Sequence, residues 1–170
     1  MRDLEYYAKL CMAQLDALHI HYAERISFQV NTRAVSRLGI CRKSGNCYVI
    51  EIAAALLDER VPLRDGLLDT LMHELLHTCY GCMKHTGRWK QYADKVNAAY
   101  GYHIKRAAAR EEHIVPKELE KPPKYKVICP NCGMKYERYK MSEFIRHPEK
   151  YRCGKCGKSM KNAERRMRKQ

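Results

Sequence analysis

Two short cysteine pairs set the strongest limit on how this chain can fold. Cys129-Pro130-Asn131-Cys132 and Cys153-Gly154-Lys155-Cys156 are C-x-x-C knuckles separated by 20 residues, and Gly133 and Gly157 follow where a tight turn needs a small residue. Four thiolates at this spacing suit one tetrahedral zinc ion. All four positions are then filled by protein, so such an ion folds the segment and does no chemistry. The segment needs that help, because residues 121–170 hold few aliphatic side chains with which to build a core. A disulfide framework is the weaker reading of the nine cysteines, since four already stand in a metal-ligand pattern.

Charge and composition change at the same place. Lys121-Pro122-Pro123-Lys124 reads as a domain boundary. Of the net charge of +14, residues 121–170 supply most, with 16 Lys and Arg against 4 Asp and Glu. Residues 1–120 are nearly balanced, at 17 against 15. The expected organisation is a body over 1–120 and a basic four-cysteine zinc-ribbon tail over 121–170. In the tail, Tyr125, Tyr136, Tyr139 and Tyr151 interleave with Lys126, Lys135, Arg138, Lys140, Lys150 and Arg152. Aromatic rings among cations suit base stacking with phosphate contacts, which makes DNA the expected partner. The plainer alternative is that the tyrosines cover a small core and the charge only aids solubility.

Membrane and export classes are excluded from the expectation. The most apolar stretch, Val49 to Leu57, is interrupted by Glu51. The opening Met1-Arg2-Asp3-Leu4-Glu5 has no apolar signal core. A cytoplasmic setting with mostly reduced thiols follows as the expectation.

In the body, Leu4, Tyr7, Ala8, Cys11, Leu15 and Leu18 predict an amphipathic helix over about 3–18. Ile26, Phe28 and Val30 alternate as in a half-buried strand. A second strand is expected within Ala34–Arg42 and a third over Cys47–Ile52, joined by the turn Ser44-Gly45-Asn46. Cys41 and Cys47 are expected to face each other across that hairpin, as buried thiols or, less simply, as a pair or metal site. Ala53–Leu57 reads as a short helical turn. Asp65 is the expected N-cap of a helix reaching about Tyr80 and stopped by Gly81. Residues 86–100 read as a further helix, and 103–121 as a polar, partly ordered helix or linker.

The helix ahead of Gly81 carries His73-Glu74-Leu75-Leu76-His77, an H-E-x-x-H sequence. Four residues advance a helix by a little more than one turn, so His73 and His77 lie about 40° apart on one face, where two imidazoles can hold one ion. Leu68, Leu71, Leu75 and Cys79 fall on the opposite side and are expected to be buried. Zinc that does chemistry takes three protein ligands and leaves a fourth position open. His85 is the best third ligand, since the loop after Gly81 can fold back; Cys82 is a rival within Cys79-Tyr80-Gly81-Cys82. Glu74 stands beside the ion without ligating it and is the candidate general base. Asp69, one turn earlier, either accepts the His73 ring N–H or complements the helix dipole. His19, His21, His103, His113 and His147 have no partner spacing.

These residues together resemble the SprT-like family of zinc metallopeptidase-like proteins, which includes the DNA–protein crosslink protease Spartan. The resemblance rests on the N-terminal helix, Arg37-Leu38-Gly39, the H-E-x-x-H helix, His85 followed by Trp89, and the C-terminal ribbon. It implies an α+β fold: a minimal zincin-like domain, with helices packed on a small β-sheet, followed by the ribbon. It implies that His73, His77 and His85 ligate a catalytic zinc and that Glu74 is the catalytic acid/base, while Cys129, Cys132, Cys153 and Cys156 hold a structural zinc. The implied activity is zinc-dependent peptidolysis of DNA-associated or crosslinked proteins. The competing function is a nucleic-acid-binding transcription or stress factor whose zincin half is idle. A non-peptidase zinc hydrolase ranks last, because no phosphoester or nucleotide site is evident.

Overall fold

A computed structural model describes residues 1–34, 37–106, 114–119 and 121–162. The chain divides into two compact units, Met1–Glu120 and Lys121–Gln170.

The first unit opens with α1, Leu4–Ala17, capped by the Asp3 carboxylate, which accepts from the Glu5 and Tyr6 N–H groups. Leu4, Ala8, Cys11 and Leu15 recur every third or fourth residue and are its buried stripe. A mixed three-stranded sheet follows: β1 (Ile26–Asn31), β2 (Gly39–Ser44) and β3 (Cys47–Ala53), in the order β1-β3-β2. β3 runs parallel to β1 and antiparallel to β2, so β2 is an edge strand. Ile50 and Ile52 point from β3 into the core, where Leu15, Leu56, Leu67, Leu71 and Leu75 meet them.

The turn between β2 and β3 is tighter than expected. Ser44 pairs with Cys47, leaving a two-residue loop of Gly45-Asn46. This register sets Cys41 opposite Ile50, so Cys41 does not face Cys47. Cys41 is half-buried and Cys47 exposed. The strand assigned to Ala34–Arg42 begins only at Gly39 and runs on to Ser44; residues 35–36 lie outside the described residues.

A 3-10 turn, Ala54–Leu57, leads to a π-helical turn, Leu63–Leu68, which runs directly into α2, Asp69–Leu76. Asp65 therefore lies inside the helical run, and Pro62 precedes it instead of an acidic cap. The helix also ends earlier than Tyr80. His77 is its C-cap, and Thr78 Oγ1 donates back to the Leu75 carbonyl. Helix α3, Arg88–Tyr100, ends at Gly101, whose φ of 65° is the left-handed conformation that glycine adopts without steric cost. Leu68, Leu71, Leu75 and Cys79 are all buried, as the helical spacing implied. A 3-10 turn covers Lys117–Leu119; residues 107–113 and 120 of the connection, His113 among them, lie outside the described residues.

The second unit has β4 (Tyr125–Ile128) between β5 (Lys135–Arg138) and β6 (Lys161–Asn162), both antiparallel to it, with a short α4 (Glu143–Arg146). Its core is small: Val127, Cys129, Ile145, Cys153 and Met160. Thus the molecule is α+β, with helices on a small sheet in the first unit and, in the second, a small sheet with the four cysteines in turns outside its strands. Among the described residues, no helix is long and apolar enough to cross a membrane.

Candidate metal centre

Helix α2 presents His73 and, at its C-cap, His77, and the following loop returns His85 to them. His77 Nε2 lies 3.0 Å from His85 Nε2, and His85 Nε2 lies 2.9 Å from His73 Nε2. The far side of each helical imidazole is held by a backbone carbonyl: His73 Nδ1 by Lys105 at 3.0 Å and His77 Nδ1 by Cys82 at 2.7 Å. A carbonyl only accepts, so each Nδ1 carries the proton and each Nε2 is a bare lone pair. Lone pairs crowded together repel unless a cation or a shared proton lies between them. At most one proton can sit on His85 Nε2, which leaves one close approach uncompensated. The donor set therefore fits a metal ion. A tetrahedral zinc about 2.0–2.1 Å from each nitrogen would separate the nitrogens by roughly 3.3 Å, a few tenths more than observed.

Burial and charge repulsion suit the same purpose. Desolvation first, then repulsion from His77 and His85, lowers the His73 pKa to about 4 against the favourable Lys105 carbonyl. Burial also lowers His77 and His85. The three rings are thus neutral near pH 7, the form that ligates metal.

Glu74 lines the same cavity as the three histidines, of about 220 Å³. It is 8% exposed. Burial pushes its pKa up to about 7, opposed by the Cys41 backbone N–H and the Arg37 charge. A carboxyl group balanced near neutrality can both take and return a proton. It is held against the edge strand. A Cβ built on Gly39 would stand 2.8 Å from Glu74 Cγ and 2.9 Å from its Oε1, so only glycine leaves room for this carboxylate.

A family model for the SprT-like family matches residues 8–111. The chain belongs to the SprT-like family. A search of curated proteins returns no match. In this SprT-like chain the matched segment contains the three histidines, Glu74 and the strand that cradles it, while the four cysteines lie beyond it.

Those four cysteines, Cys129, Cys132, Cys153 and Cys156, form a second cluster compatible with zinc. Cys129 Sγ is 3.4 Å from Cys156 Sγ, and Cys132 Sγ is 3.5 Å from Cys153 Sγ. The two knuckles are built alike: Gly133 N–H donates to the Cys129 carbonyl and Gly157 N–H to the Cys153 carbonyl, both glycines at φ 70°. Burial disfavours the Cys153 thiolate, but the Lys155 and Cys156 N–H groups outweigh it and bring the pKa down to about 6. The Lys158 N–H likewise lowers Cys156.

Several neighbouring residues are placed differently from the sequence expectation. Asp69 does not hold His73; both its oxygens accept from the His103 backbone N–H at 3.2 Å, and the Lys105 carbonyl takes the ring. His103 is not partnerless, since its Nδ1 lies 2.9 Å from Asp65. Cys82 contributes its carbonyl and not its thiol, which is buried with Cys79 in the core. The carbonyls of Lys105 and Cys82 left no signal in the sequence, because every residue carries one. Gly39 did leave a signal, within Arg37-Leu38-Gly39, but its reason is the close approach of Glu74 and of the Thr70 methyl, also 2.8 Å from where a Cβ would stand.

Proposed function

We propose that this chain is a zinc-dependent metalloendopeptidase that acts on DNA-associated or crosslinked proteins in the cytoplasm. The observation that carries the reading is the convergence of three imidazole Nε2 atoms, two of them bare lone pairs, in one cavity with a buried carboxylate. His73, His77 and His85 would hold the ion. When bound, zinc acidifies and polarises a water and polarises the scissile carbonyl. Glu74 does the proton work: it accepts a proton from the attacking water and delivers it to the leaving amine. The Cys41 N–H and the absent Gly39 side chain hold the carboxylate in place for both transfers.

The edge strand supports a polypeptide substrate. β2 pairs with β3 along one side only. The Leu38 carbonyl points toward β3 and the Cys41 N–H points to Glu74. By strand alternation, the Gly39 and Cys41 carbonyls face the unpaired edge, where an extended peptide can add by main-chain hydrogen bonds. Ile40 and Met83, beside the histidines, offer apolar contacts to its side chains.

The second unit serves as a structural zinc ribbon and DNA-binding tail on this reading, with Cys129, Cys132, Cys153 and Cys156 as ligands and the surrounding cations on phosphates. Cleavage assays on a DNA-bound protein test the whole. Native zinc-loaded protein is expected to cut it; Glu74→Gln is expected to keep zinc and DNA binding and lose about 10²–10⁴ in turnover. No cleavage by the native protein, with DNA binding intact, would instead support a nucleic-acid-binding protein with an idle zincin half.

A further inference from the structure

Trp89 is the chain's single tryptophan. It lies in the first turn of α3 and is 2% exposed. Its ring contacts all three imidazoles of the metal centre: centroids are 4.9 Å from His73, 5.7 Å from His77 and 4.7 Å from His85. It is stacked on His77, at 23°, and steeply inclined to the other two, at 66° and 90°. Its Nε1 is the only buried side-chain nitrogen or oxygen without a hydrogen-bond partner among the described residues.

An orphaned buried donor costs about 1–3 kcal/mol. A core position that needed only apolar filling would avoid that cost with phenylalanine or leucine. The indole is the largest aromatic surface available and has the most electron-rich face. We propose that Trp89 is a positioning residue for the metal centre: it backs the three imidazoles, fixes their ring planes so that the Nε2 atoms converge, and favours the positive charge the rings take up on binding a divalent cation. This rests on the reading that the histidines hold zinc. The carbonyls of Lys105 and Cys82 fix the tautomers of two rings, and the indole adds a shared wall for all three.

The test compares zinc affinity at the histidine site by competition with a chromophoric chelator, the ribbon remaining loaded. Trp89→Leu keeps an apolar side chain but removes the aromatic wall. It is expected to lose about 10–100-fold in zinc affinity, as for other residues that orient ligands. Trp89→Phe, which restores a ring, is expected to recover part of that loss. In the native protein, zinc titration is expected to change the emission of the lone tryptophan, and His77→Ala is expected to abolish that change. Native-like affinity in Trp89→Leu overturns the proposal and leaves Trp89 as core filling. Should Trp89→Leu not fold, native-like affinity in Trp89→Phe together with emission indifferent to zinc overturns it equally. If His77→Ala leaves the zinc stoichiometry unchanged, the histidine site itself is refuted and this inference falls with it.

Discussion

Glu74 is expected to weaken the fold that contains it. Its carboxyl has a pKa of about 7 in the folded chain, against an ordinary value of 4.5, because burial penalises the anion. An acid whose folded pKa is raised binds its proton more tightly folded than unfolded. The Glu74 penalty is therefore absent below pH 4.5, grows as pH rises between 4.5 and 7, and is full above 7. At about 1.4 kcal/mol per pH unit, the cost at pH 8 is at most about 3 kcal/mol. Glu74→Gln removes the charge and keeps an oxygen for the Cys41 N–H. With the histidine site emptied by mild chelation, the variant should melt higher than native at pH 8, by roughly 6–12 °C for a chain of this size. Below pH 4.5 the two should converge, whatever the histidines do, since those titrate in both. Thermal melts of the pair across pH 4–8.5 measure it directly. A difference that does not vary with pH, or a variant less stable than native at pH 8, refutes the argument that Glu74 is a desolvated carboxyl held for its chemistry.

Other outcomes follow from the same geometry. Graded chelation should remove the histidine-bound zinc first, because that site has an open position and neutral ligands, and the four-thiolate zinc later; elemental analysis showing a single ion, or joint loss, contradicts this. Cys132→Ser should unfold the tail and leave the body, so limited proteolysis should trim near residue 121; general sensitivity of the chain would show that the units are not independent. Gly39→Ala should cost about 1–3 kcal/mol through overpacking. That cost should shrink but not vanish in a Glu74→Ala background, because the Thr70 methyl also stands 2.8 Å from the new Cβ; a double-mutant cycle of thermal melts with no coupling would show that the Cβ does not meet Glu74. Deleting residues 122–170 should abolish DNA binding, itself steeply salt-dependent, while sparing cleavage of a small flexible peptide; retained DNA binding contradicts the tail's role.

What the sequence made legible was local. The helical spacing of His73 and His77, the buried stripe of Leu71 and Leu75, and the two knuckles are each set within a few residues by backbone geometry. What it hid depended on register and on distant chain. Pairing fixes every partner along the hairpin, so with Ser44 opposite Cys47 the residue opposite Cys41 is Ile50; even the three-residue turn would have set Cys41 opposite Val49, and the two thiols are too far apart along the hairpin to face each other. The helix ends at Leu76 and not near Tyr80, since Thr78 and the His77 cap close it before Gly81 is reached. Asp69 had two plausible local partners, yet its bond goes to His103, far along the chain and brought near by α3. The carbonyls that fix the imidazole tautomers belong to loops whose course no side-chain pattern records.

The most direct test of the account is anomalous diffraction at the zinc edge from the native protein. The account predicts a peak about 2.0–2.1 Å from the Nε2 atoms of His73, His77 and His85, with no fourth protein ligand and the Glu74 carboxylate nearby but unbound, and a second peak among the four thiolates. A histidine-site peak with Cys41, Cys82 or Glu74 as a fourth ligand, or no peak there at all, would contradict it.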